Sequence, residues 1–147
     1  MSEILFLSVD DVLLAHTDTL EKEGGLGGVR DHGLLDAAVA MPRQQFGGVY
    51  LHGDSAAMAA AYLFHITQNH PFHDGNKRTA ALSALAFLRV NGQEPLPAPH
   101  DLEAVTRRIA AGEMTKDALI RWMRKQIGRG MVGMAGSSTM SRERRRG

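Results

Sequence analysis

The sequence predicts a single all-α domain, and three observations carry that expectation. Apolar residues fill 44% of the 147 positions but aromatics only 5%, and much of the apolar content is Ala, Leu and Met, which suits closely packed helices more than a β-sandwich. Stretches of helical period repeatedly open on Ser, Thr or Asp and stop at Gly or Pro, the usual punctuation of helix ends. The length is that of one domain with its own core.

Taken in order, Ser8 stands before Val9-Asp10-Asp11-Val12-Leu13-Leu14 and predicts a helix that it caps, with acids in the first turn, closing at Gly24-Gly25. Ile4 to Leu7 reads as a short edge strand ahead of it. Gly24 to Gly28 is a flexible turn, and Asp31 or His32 leads into a helix over Leu34 to about Met41, stopped by Pro42. Gln44 to Gly53 has no clear period and holds the adjacent Gly47 and Gly48, so it reads as a loop or small hairpin. Asp54 caps a long helix, Ala56 to Gln68, whose Ala57, Ala60, Ala61, Phe64 and Ile66 supply a small-residue face for close packing. Pro71 requires that this helix has ended. The next begins near Asn76 or Lys77, runs through Leu82, Leu85, Ala86 and Val90, and closes at Asn91-Gly92. Beyond the Pro95-to-Pro99 connection come Asp101 to Ala111 and, capped by Thr115, Lys116 to Ile127 with Leu119, Trp122, Met123 and Ile127 on one face. Periodicity then stops. The expected organisation is a domain over 1–127 and a disordered basic tail over 128–147.

The chain has no cysteine, so disulfides and thiolate metal sites are excluded. Nothing near Met1 resembles a secretory signal, and no segment approaches the roughly 20 apolar residues of a membrane span. The expectation is a cytoplasmic protein with no membrane role. Four arginines against one glutamate in the last seven residues give +3, which leaves the body at −2. A near-neutral body argues against a broad nucleic-acid surface, and the Arg-rich end reads as solubilising.

The chemistry concentrates in His70-Pro71-Phe72-His73-Asp74-Gly75-Asn76-Lys77-Arg78, between two helices. A helix start offers unpaired N–H groups and a positive dipole end, and Gly75 and Asn76 readily take the backbone angles that curl such groups around an anion. Lys77 and Arg78 add two cations. Cations at a helix N-terminus oppose its dipole, so their presence points to a bound anion rather than a solvated first turn. Asp74 is a single carboxylate beside that cradle, the arrangement that suits Mg²⁺ shared with phosphates. His70 can take a proton from an attacking hydroxyl. Each has a blander reading: His70 as structural, Asp74 as the start of a turn, Lys77 and Arg78 as solvated. Phe72 is read as the anchor that packs the loop on the core. Residue by residue, the loop leaves phosphatase, kinase and nucleotidyl transferase open.

The nine-residue loop resembles the signature of the Fic/Doc family, most closely its death-on-curing (Doc) toxin branch. Gly24-Gly25-Leu26-Gly27-Gly28, the segment from Arg30 to Ala38 and the segment from Leu82 to Gly92 also read like Doc toxins, so the resemblance spans roughly residues 3 to 127. It implies an all-α Fic-type bundle with the active loop between two central helices. It further implies His70 as general base, Asp74 as Mg²⁺ ligand and Gly75, Asn76, Lys77 and Arg78 as phosphate-binding residues. ATP is then the substrate, and the partners are a Phd-like antitoxin and the translation factor EF-Tu, whose phosphorylation halts protein synthesis. Nucleic acid enters only through the antitoxin.

AMP-transferring members usually have Gly where Lys77 stands and a second Arg where Ala81 stands, which favours kinase chemistry here. Gly75, which those members carry, weighs slightly towards AMP transfer. Thr19-Leu20-Glu21-Lys22-Glu23-Gly24 fits the Ser/Thr-x-x-x-Glu-Gly pattern of the helix that restrains many Fic proteins, and it is read as an ordinary helix end. The rival readings are a metal hydrolase using His65, His70, His73 and Asp74, and a non-enzymatic antitoxin-binding or regulatory module.

Overall fold

The computed structural model describes residues 3–135. Six helices follow in order: α1 (Val9–Glu23), α2 (His32–Ala40), α3 (Ser55–Asn69), α4 (Asn76–Val90), α5 (Pro99–Ala110) and α6 (Lys116–Ala135). The caps explain most boundaries. Ser8 and Asp11 form a reciprocal capping box at the start of α1, and Gly24 ends it with φ 73. Asp31 caps α2 through Leu34 N–H, Asp54 caps α3 through Ala57 N–H, and Thr115 accepts from Ala118 N–H at the start of α6. Helix α2 runs into one 3₁₀ turn, Met41–Arg43, that contains Pro42.

The central helix is α3, which packs against α2, α4, α5 and α6. Ala56, Ala57, Ala59, Ala60 and Ala61 are all buried on it, and so small a run of side chains lets neighbours approach from every side. Tyr62, Leu63 and Ile66 continue the core with Phe87 and Leu88 of α4, Ile109 of α5 and Leu119 and Met123 of α6. Helices α3 and α4 are therefore the two central helices, and the loop at 70–75 joins them.

The region of uncertain period resolves into a hairpin, β1 (Gln45–Phe46) paired antiparallel with β2 (Val49–Tyr50). Gly47 and Gly48 turn it with φ 59 and 82, the doubly left-handed turn that matches strand twist. The strand expected at Ile4 to Leu7 does not form. Asn91 donates to Leu5 C=O and accepts from Leu5 N–H, and Tyr62 Oη accepts from Leu7 N–H at 2.8 Å, so side chains satisfy this extended segment without a ladder. Burial pushes the Tyr62 phenol above its usual pKa.

The tail expected from Gly128 is helical as far as Ala135, because glycine weakens a helix without forbidding it; the rest of that expectation lies outside the described residues. Among the described residues no helix is long and apolar enough to cross a membrane.

Candidate active site

The loop is held from both sides. Phe72 is fully buried and stacks on the His16 ring of α1 at 3.8 Å between centroids, 10° from parallel. His16 Nε2 lies 2.8 Å from the Asp74 carbonyl, and since a carbonyl only accepts, the imidazole donates there. Phe72 is thus packed into the core against His16, a partner the sequence did not announce. The segment 28–31 straps the other side. Val29 pairs with Phe72 in an isolated bridge, Arg30 and Asp31 N–H both donate to Pro71 C=O, and His73 N–H donates to Gly28 C=O.

Gly75 begins α4 as its N-cap with φ 82 and no side-chain cap. The first intrahelical bond runs from Thr79 N–H to Gly75 C=O, so helix geometry leaves the N–H groups of Asn76, Lys77 and Arg78 without intrahelical partners. These residues line a cleft of about 190 Å³ together with Glu23 of α1 and Glu103, Thr106 and Arg107 of α5. That volume is below the roughly 300–1,000 Å³ of pockets that swallow whole ligands. It suits a phosphate chain with the rest of a nucleotide outside.

Arg78 sits in this cleft with its Nε buried and without a hydrogen-bond partner. Its Nη1 reaches only 3.8 Å from Glu103 and 4.0 Å from Glu23, too long for good hydrogen bonds. A buried guanidinium N–H with no acceptor is the position an anionic oxygen would fill. The Thr19-to-Gly24 stretch ends α1 at Gly24, yet Glu23, the glutamate of the restraining pattern that the sequence reads as an ordinary helix end, faces this arginine in the cleft.

Asp74 accepts the Leu26 N–H on Oδ2 at 2.6 Å, and a side chain on Gly25 would press on Asp74 at 3.0 Å. One carboxylate oxygen is thereby fixed to the glycine turn, and Oδ1 is left uncommitted among the described residues. That donor set fits a Mg²⁺ ion sharing Asp74 with phosphate oxygens.

Asn76 takes helical rather than left-handed backbone angles, and its side chain has a structural role the sequence did not announce. Its side chain is buried and turned into the loop, where Oδ1 accepts from Phe72 N–H and Nδ2 donates to Phe72 C=O, both at 2.9 Å. Only its backbone amide is left for phosphate. The Phe72 N–H fixes which end of the amide is which, so Nδ2 also faces His70 Nδ1 as a donor, at 3.2 Å. Neutral His70 therefore holds its proton on Nε2.

The remaining candidates stand apart. His65 Nε2 contacts Lys116 Nζ at 2.9 Å, so it serves α3 and α6 and not the loop. Burial chiefly, then the Lys116 ammonium, then His52, lowers the His65 pKa to about 4. Among the described residues no group of three or more His, Asp or Glu side chains is placed to hold a metal. The hydrolase geometry does not assemble.

Fold and site together define an all-α domain in which the loop between the two central helices carries a histidine and leads into a cleft with an unpartnered arginine N–H. A family model described as "Fic/DOC family" matches residues 6–88, more than half of the chain. The chain belongs to the Fic/DOC family. It is 43% identical over 98 residues, 67% of this chain and 72% of the relative, to a protein named Toxin Doc from Mycolicibacterium smegmatis. It is 30% identical over 122 residues, 83% of this chain and 95% of the relative, to the Protein kinase doc of Escherichia phage P1.

Proposed function

We propose that this protein is the toxin of a toxin–antitoxin pair and transfers the γ-phosphoryl group of ATP to a hydroxyl of EF-Tu. The observation that carries the reading is the cleft at the start of α4, where the unpartnered Arg78 Nε meets free backbone N–H groups on the same loop as His70 and Asp74.

In this reading the N–H groups of Asn76, Lys77 and Arg78 and the Arg78 guanidinium hold the phosphate oxygens. Arg107 of α5 adds a third cation to the same cleft. Asp74 offers Oδ1 to Mg²⁺, which when bound neutralises charge on the phosphates. The acceptor oxygen forms its bond to the γ-phosphorus, the bond from that phosphorus to the bridging oxygen breaks, and the electron pair leaves with ADP. The hydroxyl proton goes to His70. To receive it on Nε2 the ring must first move its own proton to Nδ1 and forgo the Asn76 contact. That costs about 1 kcal/mol, which lowers the base-ready fraction about fivefold.

Lys77 supports γ- over α-phosphoryl transfer, since a side chain and charge replace the close backbone approach a glycine would give. Ala81, where a second arginine would mark AMP transfer, is 6% exposed and offers the phosphates nothing. Gly75 no longer favours AMP transfer. Its φ of 82 and the 2.8 Å approach of Thr19 to any added Cβ account for the glycine on packing grounds. A Phd-like antitoxin would restrain the toxin by folding a segment against it. The site needs no nucleic-acid contact of its own.

The test is incubation with Mg²⁺, EF-Tu and ATP labelled separately at the α- and γ-phosphates. Label from the γ-phosphate should reach EF-Tu and vanish with His70→Ala. Transfer of the α label alone would reverse the assignment to AMP transfer.

A further inference from the structure

His70 is the one non-glycine among the described residues with positive φ, at φ 51 and ψ 55, where it ends α3. A histidine does not settle there by preference, so something must hold it. Its carbonyl and that of Asn69 are among the last of α3, which have no intrahelical donors and carry the negative end of the helix dipole.

Arg30 supplies what is missing. Its Nε donates to His70 C=O at 2.7 Å and its Nη2 to Asn69 C=O at 3.0 Å. Its backbone N–H donates to Pro71 C=O at 2.6 Å, joined there by Asp31 N–H at 3.1 Å. Four donors from two adjacent residues thus hold three consecutive carbonyls. Arg30 does not line the phosphate cleft, so its charge is not explained by the substrate. Asn69 Nδ2 reaches back to Leu34 C=O at 2.9 Å, closing the strap from the far side.

We propose that Arg30 is a positioning residue: it locks the His70 peptide in the left-handed conformation and so fixes where the imidazole stands and where Nε2 points. The Asn76 contact holds the resting ring only, before its proton moves to Nδ1. A guanidinium suits the task because its planar fork spans two carbonyls at once, which an ammonium cannot do. The inference rests on His70 being the base, and displacing a reacting atom by about 1 Å can cost on the order of 100-fold in rate.

The test uses Arg30→Ala and Arg30→Lys in the full chain. The ¹⁵N spectrum of the His70 ring, read without nucleotide, should show one dominant tautomer in the parent, a mixture in Arg30→Ala and an intermediate pattern in Arg30→Lys. Turnover with ATP and acceptor should fall roughly 10- to 100-fold in Arg30→Ala with the KM for ATP within about twofold, and Arg30→Lys should recover part of it. In a His70→Ala background, Arg30→Ala should cost nothing more. An unchanged ring spectrum in both variants, a loss expressed in KM alone, or an added loss in the His70→Ala background would each overturn the proposal. If Arg30→Ala does not fold, Arg30→Lys decides: a parental spectrum and parental turnover overturn it. Failure of the base assignment shows separately, as full transfer by His70→Ala, whereas the ring spectrum reads Arg30 without any transfer.

Discussion

Gly75→Ala is the substitution whose consequence follows most directly from the geometry. Gly75 stands at φ 82 and ψ 17, a conformation that costs alanine about 1 kcal/mol. The new methyl would lie 2.8 Å from Thr19 Cγ2. Thr19 is fully buried, donates to Ala15 C=O at 3.0 Å and accepts from Thr79 Oγ1 at 3.1 Å, so it cannot turn aside without breaking both bonds. Relief requires α1 to lift from α4, an overpacking penalty of about 1–3 kcal/mol. The sum is about 2–4 kcal/mol, which at roughly 2–4 °C per kcal/mol lowers Tm by roughly 5–15 °C.

Thr19→Ser removes Cγ2 and keeps the hydroxyl, so it separates the two contributions. In that background Gly75→Ala should cost only the backbone part, giving a favourable coupling of about 1–3 kcal/mol between the two substitutions. Urea unfolding of the parent, both single variants and the double variant measures it. A Gly75→Ala protein within about 0.5 kcal/mol of the parent, or a coupling near zero, would refute the claim that Thr19 dictates glycine at the phosphate loop.

Two further outcomes follow from the site and its surroundings. Asp74→Asn keeps an oxygen for the Leu26 N–H but loses the charge for Mg²⁺, so thermal unfolding should move by less than about 3 °C while Mg²⁺-dependent transfer is lost. For His65 the folded pKa of about 4 lies below the ordinary 6.5, so between those values the unfolded chain takes up a proton that the native protein refuses. Stability should be full above about pH 6.5, fall as pH drops towards 4 and lose nothing further from this group below that. The shift sets a ceiling of about 3 kcal/mol, and solvent screening reduces it to roughly 1–2 kcal/mol. Urea midpoints across that range should flatten in His65→Gln.

The helices were legible because most of their boundaries are announced locally. Ser8, Asp31, Asp54 and Thr115 sit before the runs they cap, and Gly24 and Asn91 after the runs they end. The loop stood out as a candidate for a related reason, since a histidine, a carboxylate and a cation pair lie within nine residues. What could not be read are contacts between residues far apart in the chain. Arg30 lies 40 residues from the carbonyl it clamps and His16 lies 58 from the one it bonds, and neither carries a local mark of that destination. His16 had a partial signal, because Val12, His16 and Thr19 fall on one helical face, which made it a buried residue needing a polar partner.

Asn76 shows what a local reading leaves out. A residue type suited to anions at a helix start looks like a ligand, but the turn from α3 into α4 leaves Phe72 N–H and C=O to be satisfied next to a buried ring, and an amide offers a donor and an acceptor on separate atoms there. An aspartate would satisfy the N–H and strand the carbonyl; a threonine has one oxygen for both. Asn76 thus builds the loop from inside while lining the cleft at the start of α4. In the proposed reading the charge is left to Arg78, Lys77 and Arg107, and the proton position on His70 is tied to the same amide that shapes the loop. In this architecture the base and the anion site cannot be perturbed independently at Asn76, whereas Arg30, which touches only the base side, offers the means to separate them.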